Sequence, residues 1–412
     1  MSARALYIHV PFCSHRCDYC DFFTRTGVSG FRQRAVLHRI ADQIAMLRMR
    51  GSLDTPLASL YIGGGTPSAL APEDLDGLLD TLQPLTSSAT EWTVELNPEH
   101  VSQELLFGLL DRGVNRLSLG VQSLDGRTLE RLGRGVNAAT TQKGLQLVSR
   151  NWPARWTADL ITAIPGGTAA QRREDAARLL DYGPGHLSVY ELGIEARTRL
   201  GLRRRRGDIA ALNEQQTLHQ LAAVAEELDQ RGLFAYEVSS FSRPGEESRH
   251  NRTYWRLEPW AAAGPAAVGL LPGPAGPEHL HGPRDFARYL ERADFGVRAE
   301  RLSTTELLEE LLMGGLRTLR GVDSGAVHRI FGSRLPRLLP RTLDQWNDLL
   351  VWSEDGFLAL NAAGRQVLDA VLVDAFREIE GEHQRLPDRP RWPDPRSAPG
   401  GPDRANTDST ET

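Results

Sequence analysis

Six short β-rich runs constrain this chain more than any other feature. ALYIHV, ASLYIGGG, EWTVELNP, NRLSLGVQS, WTADLITAIPGG and HLSVYELGIE each lead into a stretch with helical periodicity. Strand-then-helix units in series call for a parallel sheet with helices outside it, because a parallel neighbour is reached only by a crossover. Fewer than eight units gives an α/β fold of the incomplete (β/α)6 TIM-like barrel kind. Chemistry in such a sheet gathers at the carboxyl ends of the strands. That rule places Cys13 to Cys20, Gly63 to Thr66, Glu95, Gln122 and Asp159 around one mouth. Taken singly, each of these clusters reads as an ordinary turn.

The barrel pattern covers residues 1–235. Residues 236–300, which contain HNRTYW, read as a loop-like connecting segment with little periodicity in its Ala, Gly and Pro stretch. Helical periodicity returns over 301–379, with a hairpin LVWSEDGFLAL turning at Asp355-Gly356, which suggests a helical, winged-helix-like domain. Its acidic residues and the net charge of -5 favour packing or a protein partner over nucleic acid. Residues 380–412 are Pro, Arg, Asp and Ser with almost no apolar side chains and read as a disordered tail. No apolar run is long enough to cross a bilayer and no secretory signal opens the chain, so the expected compartment is the cytoplasm. The run Arg203–Arg206 reads as a solvated loop, with weak, peripheral contact to anionic lipid of the inner membrane as its functional alternative.

The three cysteines of the chain, Cys13, Cys17 and Cys20, all fall within PFCSHRCDYCDFF. A structural zinc site wants four protein ligands, and His15 would have to supply the fourth from inside a very tight loop. A 4Fe-4S cluster fits the spacing better, because three thiolates can wrap three corners of the cube and leave one iron open to a small molecule.

CxxxCxxC after the first strand, Tyr19 before the last cysteine, and GGGTPS after the second strand together resemble the radical S-adenosylmethionine (SAM) superfamily. The likeness to its coproporphyrinogen oxidase-like branch runs to about Ile379. The resemblance implies that exchangeable SAM completes the cluster held by Cys13, Cys17 and Cys20. It also implies SAM contacts at Tyr7, Gly64, Gly65, Thr66, Glu95, Gln122, Arg134 and Asp159, with glycines where a Cβ would block the methionine moiety. No catalytic residue is assigned. Oxidases of the branch resemble CxxxCxxCxC, and Phe22 stands where their fourth cysteine would be.

HNRTYW matches the HNxxYW motif of the haem-chaperone family within that branch. The resemblance makes His250, Asn251, Tyr254 and Trp255 haem-binding residues, with His250 as an iron ligand. On composition alone, a hydrogen-bonded core histidine beside packed aromatics is the better reading. The family likeness further implies a haem donor protein, haem-receiving proteins such as respiratory enzymes, and a homodimer. Departures are Val136, Gly167, Ser240 and Ala262, which stand where the family commonly has His, Gln, Asn and Gly. Three readings remain: a haem chaperone, an oxygen-independent coproporphyrinogen III oxidase, and a redox-sensing nucleic-acid-binding protein.

Overall fold

Alternation in ALYIHV resolves into strand β1 (Ala5–Val10), which buries Leu6, Ile8 and Val10 on one face. The computed structural model describes residues 2–381 and 386–394. Helix α1 (Gly30–Met49) follows, then β2 (Ser59–Gly64), α2 (Pro72–Leu82), β3 (Glu91–Leu96), α3 (Gln103–Asp111) and β4 (Arg116–Gln122). Next come α4 (Gly126–Arg131), α5 (Ala138–Asn151), β5 (Arg155–Thr162), α6 (Ala169–Leu180) and β6 (His186–Glu191). β1 to β6 pair in sequence order and in parallel, as crossover connections require.

The register sorts side chains by parity. Leu60, Ile62, Trp92, Val94, Leu117, Leu119, Ala158, Leu160, Leu187 and Val189 are buried in the same apolar core as α1, α2, α3, α5 and α6. The opposite parity is polar: Tyr7 aligns with Tyr61, Glu95 with Ser118, Gly120 with Asp159, and Asp159 with Ser188. A strand shows its side chains to the two faces alternately, so this second face forms a polar inner wall.

The Arg-rich run is helical rather than a loop: α7 (Arg199–Arg205) starts at Thr198, whose hydroxyl accepts from Gly201 N. α8 (Glu214–Gln230) follows, opened by a capping box at Asn213 and Gln216.

The segment expected to be a loop-like connector adds strands to the same sheet. Its β8 (Ser240–Ser242) pairs antiparallel with β6 and with β7 (Phe234–Ala235), the last residues of the barrel stretch. After α9 (Arg249–Trp255), β9 (Trp260–Ala263) joins β1 in parallel, and β10 (Val268–Gly273) and β11 (Gly276–His281) form a hairpin beside it. α10 (Phe286–Glu291) precedes the edge strand β12 (Arg298–Arg301). Among the described residues the sheet runs β12-β11-β10-β9-β1-β2-β3-β4-β5-β6-β8-β7 and does not close. Small residues hid β9. Ala261 and Ala263 are fully buried, and a Cβ on Gly264 would lie 2.4 Å from the His9 carbonyl oxygen.

A second apolar core unites α11 (Thr304–Leu316), α12 (Ser324–Phe331), α13 (Leu335–Leu338) and α16 (Leu368–Gly381) with Leu257, Trp260 and Leu270. Between these helices β13 (Val322–Asp323), β14 (Leu350–Trp352) and β15 (Phe357–Leu360) form a small antiparallel sheet, with Gly356 at φ +87 in the expected turn. α14 (Pro340–Gln345) and α15 (Ala362–Gln366) complete the helical-plus-wing arrangement. Part of the supposed tail is packed: Leu386 and Trp392 lie against this core, and Trp392 Nε1 donates to the Leu257 carbonyl at 2.8 Å. An indole and a leucine supply the apolar surface that the rest of the tail lacks. Residues 382–385 and 395–412 lie outside the described residues.

Candidate functional site

The loop after β1 is fixed by backbone bonds before any ligand is considered. Cys13 N donates to Arg25 O at 3.0 Å and Arg25 N to Pro11 O at 2.7 Å, which ties the two ends of the loop together. Asp18 N donates to Leu132 O at 3.0 Å and Asp18 O accepts from Leu200 N at 2.8 Å. Arg199 and Arg203 of α7 lie 3.7 and 3.6 Å from the Asp18 carboxylate, so part of the arginine run serves this loop. His15 Nε2 meets Gly133 O at 2.8 Å. Gly133 (φ +60) and Gly135 are required here, because a Cβ would fall 2.3 Å from Asp18 Cγ and 2.7 Å from His15 Cγ. Sequence reasoning missed both glycines, although the spacing in RLGRG was a usable signal.

Cys13, Cys17 and Cys20 are half-buried neighbours in this loop. Burial pushes the Cys13 thiol up to about 11, and the nearby Cys20 and Cys17 push the same way. Burial raises Cys20 as well. Thr66 Oγ1 lies 3.6 Å from Cys13 Sγ, and Arg134 Nη1 donates to Cys17 Sγ at 3.5 Å.

The polar inner wall supplies the other expected contacts. Glu95 accepts from the Tyr61 hydroxyl at 2.8 Å and from Gly64 N at 3.1 Å. The glycine turn is shaped by the chain's own atoms. A Cβ on Gly63 would collide with the Glu95 carboxyl, one on Gly64 with the His9 ring, and one on Gly65 with Phe12 O at 2.6 Å. Tyr7 OH meets His9 Nδ1 at 2.9 Å while His9 Nε2 meets Phe23 O at 3.0 Å. A carbonyl can only accept, so Nε2 carries the proton and Nδ1 accepts from Tyr7.

Asn97, absent from the sequence-derived set, links two members of it. Its Nδ2 donates to Thr66 Oγ1 at 3.2 Å and its Oδ1 accepts from Arg134 Nη2 at 2.8 Å. Arg134 Nε is buried without a partner and remains available to a ligand. Gln122 sits at φ +70 beside a bulge at the end of β4, a strained position for a non-glycine residue. On β5, burial and then the Glu95 charge push Asp159 up to about 7, and burial also raises Glu95. A cation between these carboxylates would relieve both effects.

His250 lies at the other end of the sheet. Its Nδ1 meets the hydroxyl of Ser59, the first residue of β2, at 2.9 Å, and its Nε2 meets Tyr254 OH at 2.5 Å. His250 N donates to Glu91, the first residue of β3, at 3.0 Å. The imidazole is 1% exposed and stacks on Tyr61 at 5.1 Å, and burial lowers it to about 3, so it is neutral. Tyr254 packs edge-on against Trp260 at 4.8 Å, and Trp255 packs against Tyr236 at 5.6 Å beneath the Arg317 guanidinium. Asn251 N donates to the cap residue Ser248 at 3.3 Å. The expected iron ligand therefore has the geometry of a core histidine with both ring nitrogens engaged. The structure brings the cysteines, Thr66, Glu95 and Arg134 together, and α9 reaches the same wall from the amino end through Tyr61, which stacks on His250 and donates to Glu95.

Residues 7–180 match the model of the Radical SAM superfamily. The chain is 33% identical over 389 residues to "Heme chaperone HemW" of Lactococcus lactis, covering 90% of this chain and 98% of that one. This chain belongs to the HemW family of the radical SAM superfamily. HemW of Mycobacterium tuberculosis H37Rv is also 33% identical, over 88% of this chain and 94% of its own. "Radical S-adenosyl methionine domain-containing protein 1, mitochondrial" of Bos taurus is 31% identical over 93% and 90%. The solved structure of Escherichia coli coproporphyrinogen III oxidase HemN superposes with a TM-score of 0.75 at 18% identity, covering 90% of this chain and 89% of that one. That likeness shows a shared fold.

Membership of the radical SAM superfamily implies a 4Fe-4S cluster and SAM, and the donor set fits them. His15, the fourth ligand that zinc would need, already meets Gly133 O. Three neighbouring thiols, with His15 engaged elsewhere, suit a cluster with one open iron. Phe22 is 70% exposed at the position where an oxidase would carry a further thiol. Among the described residues no helix is long and apolar enough to cross a membrane.

Proposed function

We propose that this HemW-family chain binds haem and passes it to haem proteins such as respiratory enzymes, without decarboxylating a porphyrinogen. The reading rests above all on the near full-length match to curated haem chaperones. Phe22 in place of the oxidase-type fourth cysteine supports it.

Cys13, Cys17 and Cys20 would hold the cluster. Bound SAM would supply its amino and carboxylate groups to the open iron and, on reduction, a route to radical chemistry. The chain's own residues bind and orient. Arg134 presents a guanidinium to a carboxylate, Gly64, Gly65 and Thr66 let a ligand approach the backbone, and Glu95 and Asp159 meet hydroxyls or a cationic sulfonium. Tyr7 and Gln122 complete the wall. His250, Asn251, Tyr254 and Trp255 act in this reading by closing the amino end of the sheet.

Full-length, cluster-loaded protein titrated with haem should develop a Soret band that saturates near one haem per chain. Under anaerobic reduction with SAM, coproporphyrinogen III should stay unconverted. Formation of protoporphyrinogen would assign the oxidase reaction instead, and absence of a saturable Soret band would remove the haem reading.

A further inference from the structure

The end of α4, the loops after β5 and β6, and α7 with the segment that follows it line a cavity that the SAM wall does not use. Its volume is about 360 Å³, within the range of small-molecule sites. Leu132, Ile164, Leu192, Leu200 and Ile209 form its apolar lining, and Tyr19 of the cysteine loop packs on the same cluster. Arg131 and Arg203 stand at its rim against one carboxylate, Asp208. The exposed Arg204, Arg205 and Arg206 continue the positive edge.

Both rim arginines are held in place with donors to spare. Arg131 Nη1 donates to Gly166 O at 2.6 Å, and Arg203 Nη1 donates to Arg131 O at 3.1 Å and lies 3.6 Å from the Asp18 carboxylate, which leaves its Nε and Nη2 outside these contacts. A guanidinium has five N–H donors, so each can still engage a carboxylate. The cavity abuts the cluster loop, since Asp18 is bonded through its backbone to Leu132 and Leu200, two of the lining residues.

An apolar floor beside paired guanidinium groups selects a flat apolar molecule that carries carboxylates along one edge. We infer that this cavity takes the propionate-bearing edge of haem, with the propionates on Arg131 and Arg203 and the ring edge on the Leu and Ile floor. The inference rests on the haem-carrier reading above and gives it a site. It also gives the arginine run of α7 a ligand. The buried imidazole of His250 plays no part in it.

The test titrates the full-length, cluster-loaded protein with haem and with haem dimethyl ester, which lacks the two charges. Wild-type protein, Arg131→Gln/Arg203→Gln and Ile209→Glu are compared, with thermal stability and cluster absorbance checked for each. Wild type should bind the ester about tenfold more weakly than haem, in line with the loss of a charge-assisted bond. The double variant should bind both compounds alike and about tenfold more weakly than wild type binds haem. Ile209→Glu puts a carboxylate on the floor without touching Asp18, and it should weaken both compounds. If wild type binds haem but does not discriminate against the ester, or if both variants keep wild-type affinity, haem sits elsewhere and the haem-carrier reading survives. A wild type that binds no haem removes both.

Discussion

Arg134 donates to Cys17 Sγ at 3.5 Å while its other terminal nitrogen bonds Asn97 Oδ1 at 2.8 Å and Gly120 O. One guanidinium thus joins the thiol loop to the ends of β3 and β4, and its orphaned Nε leaves it a donor for a ligand carboxylate. Replacing it with Gln should weaken SAM about tenfold, the size of one charge-assisted bond. The readout is the SAM-induced change in the electron paramagnetic resonance of the reduced cluster. An unchanged titration would detach Arg134 from SAM binding.

Gly65→Ala should damage the cluster site through the backbone. Its Cβ would lie 2.6 Å from Phe12 O and 2.8 Å from Phe12 N, atoms that cannot move without dragging Cys13. A cost of about 1–3 kcal/mol and a lower iron content after reconstitution are expected. Gly77→Ala in α2, where a Cβ meets nothing within 4 Å, serves as the control and should be neutral or mildly stabilising. Equal iron content in the two variants would refute the steric account.

His250→Phe should destabilise the fold by about 1–3 kcal/mol near neutral pH, because Ser59 and Tyr254 lose their partner in a buried place. Wild type should also show an acid-side dependence that the variant lacks. Burial holds the folded imidazole at about 3 against 6.5 for the free group, so the unfolded chain binds the extra proton between those values. This group's effect therefore lowers stability as pH falls from 6.5 toward 3. Denaturant midpoints across that window measure it; parallel pH curves for the two proteins would contradict it.

Asp159 acts with the opposite sign. Its carboxyl is pushed from 3.8 up to about 7, so the folded chain holds this proton longer than the unfolded one. The stability it allows is full below 3.8 and declines as pH rises to 7, after which it is level. Asp159→Asn should remove that decline and raise the midpoint of unloaded protein at pH 8. A midpoint at pH 8 that falls on substitution would mean that the carboxylate is stabilised by something other than its proton.

The six strand runs were legible because each combines apolar alternation with a following helical period, and the register places Glu95 and Asp159 on one wall as their positions suggested. β9 was illegible for a steric reason: Ala261, Ala263 and Gly264 are small because β1 passes beside them, and small residues carry little periodic signal. Asn97, Gly133 and Gly135 escaped notice because their work is contact with residues remote in sequence. His250 shows the converse. Its motif was plain to read, yet only three-dimensional contacts reveal that both ring nitrogens are engaged.

Strand β2 carries Ser59, the partner of His250, at one end and Gly64, beside the thiol loop, at the other. Five steps of about 3.3 Å put roughly 17 Å between them. No single metal atom could be shared by the imidazole and the sulfurs. The two rims still communicate along the inner wall, because Tyr61 stacks on His250 and donates to Glu95, so a change at one end of β2 reaches the other through that ring.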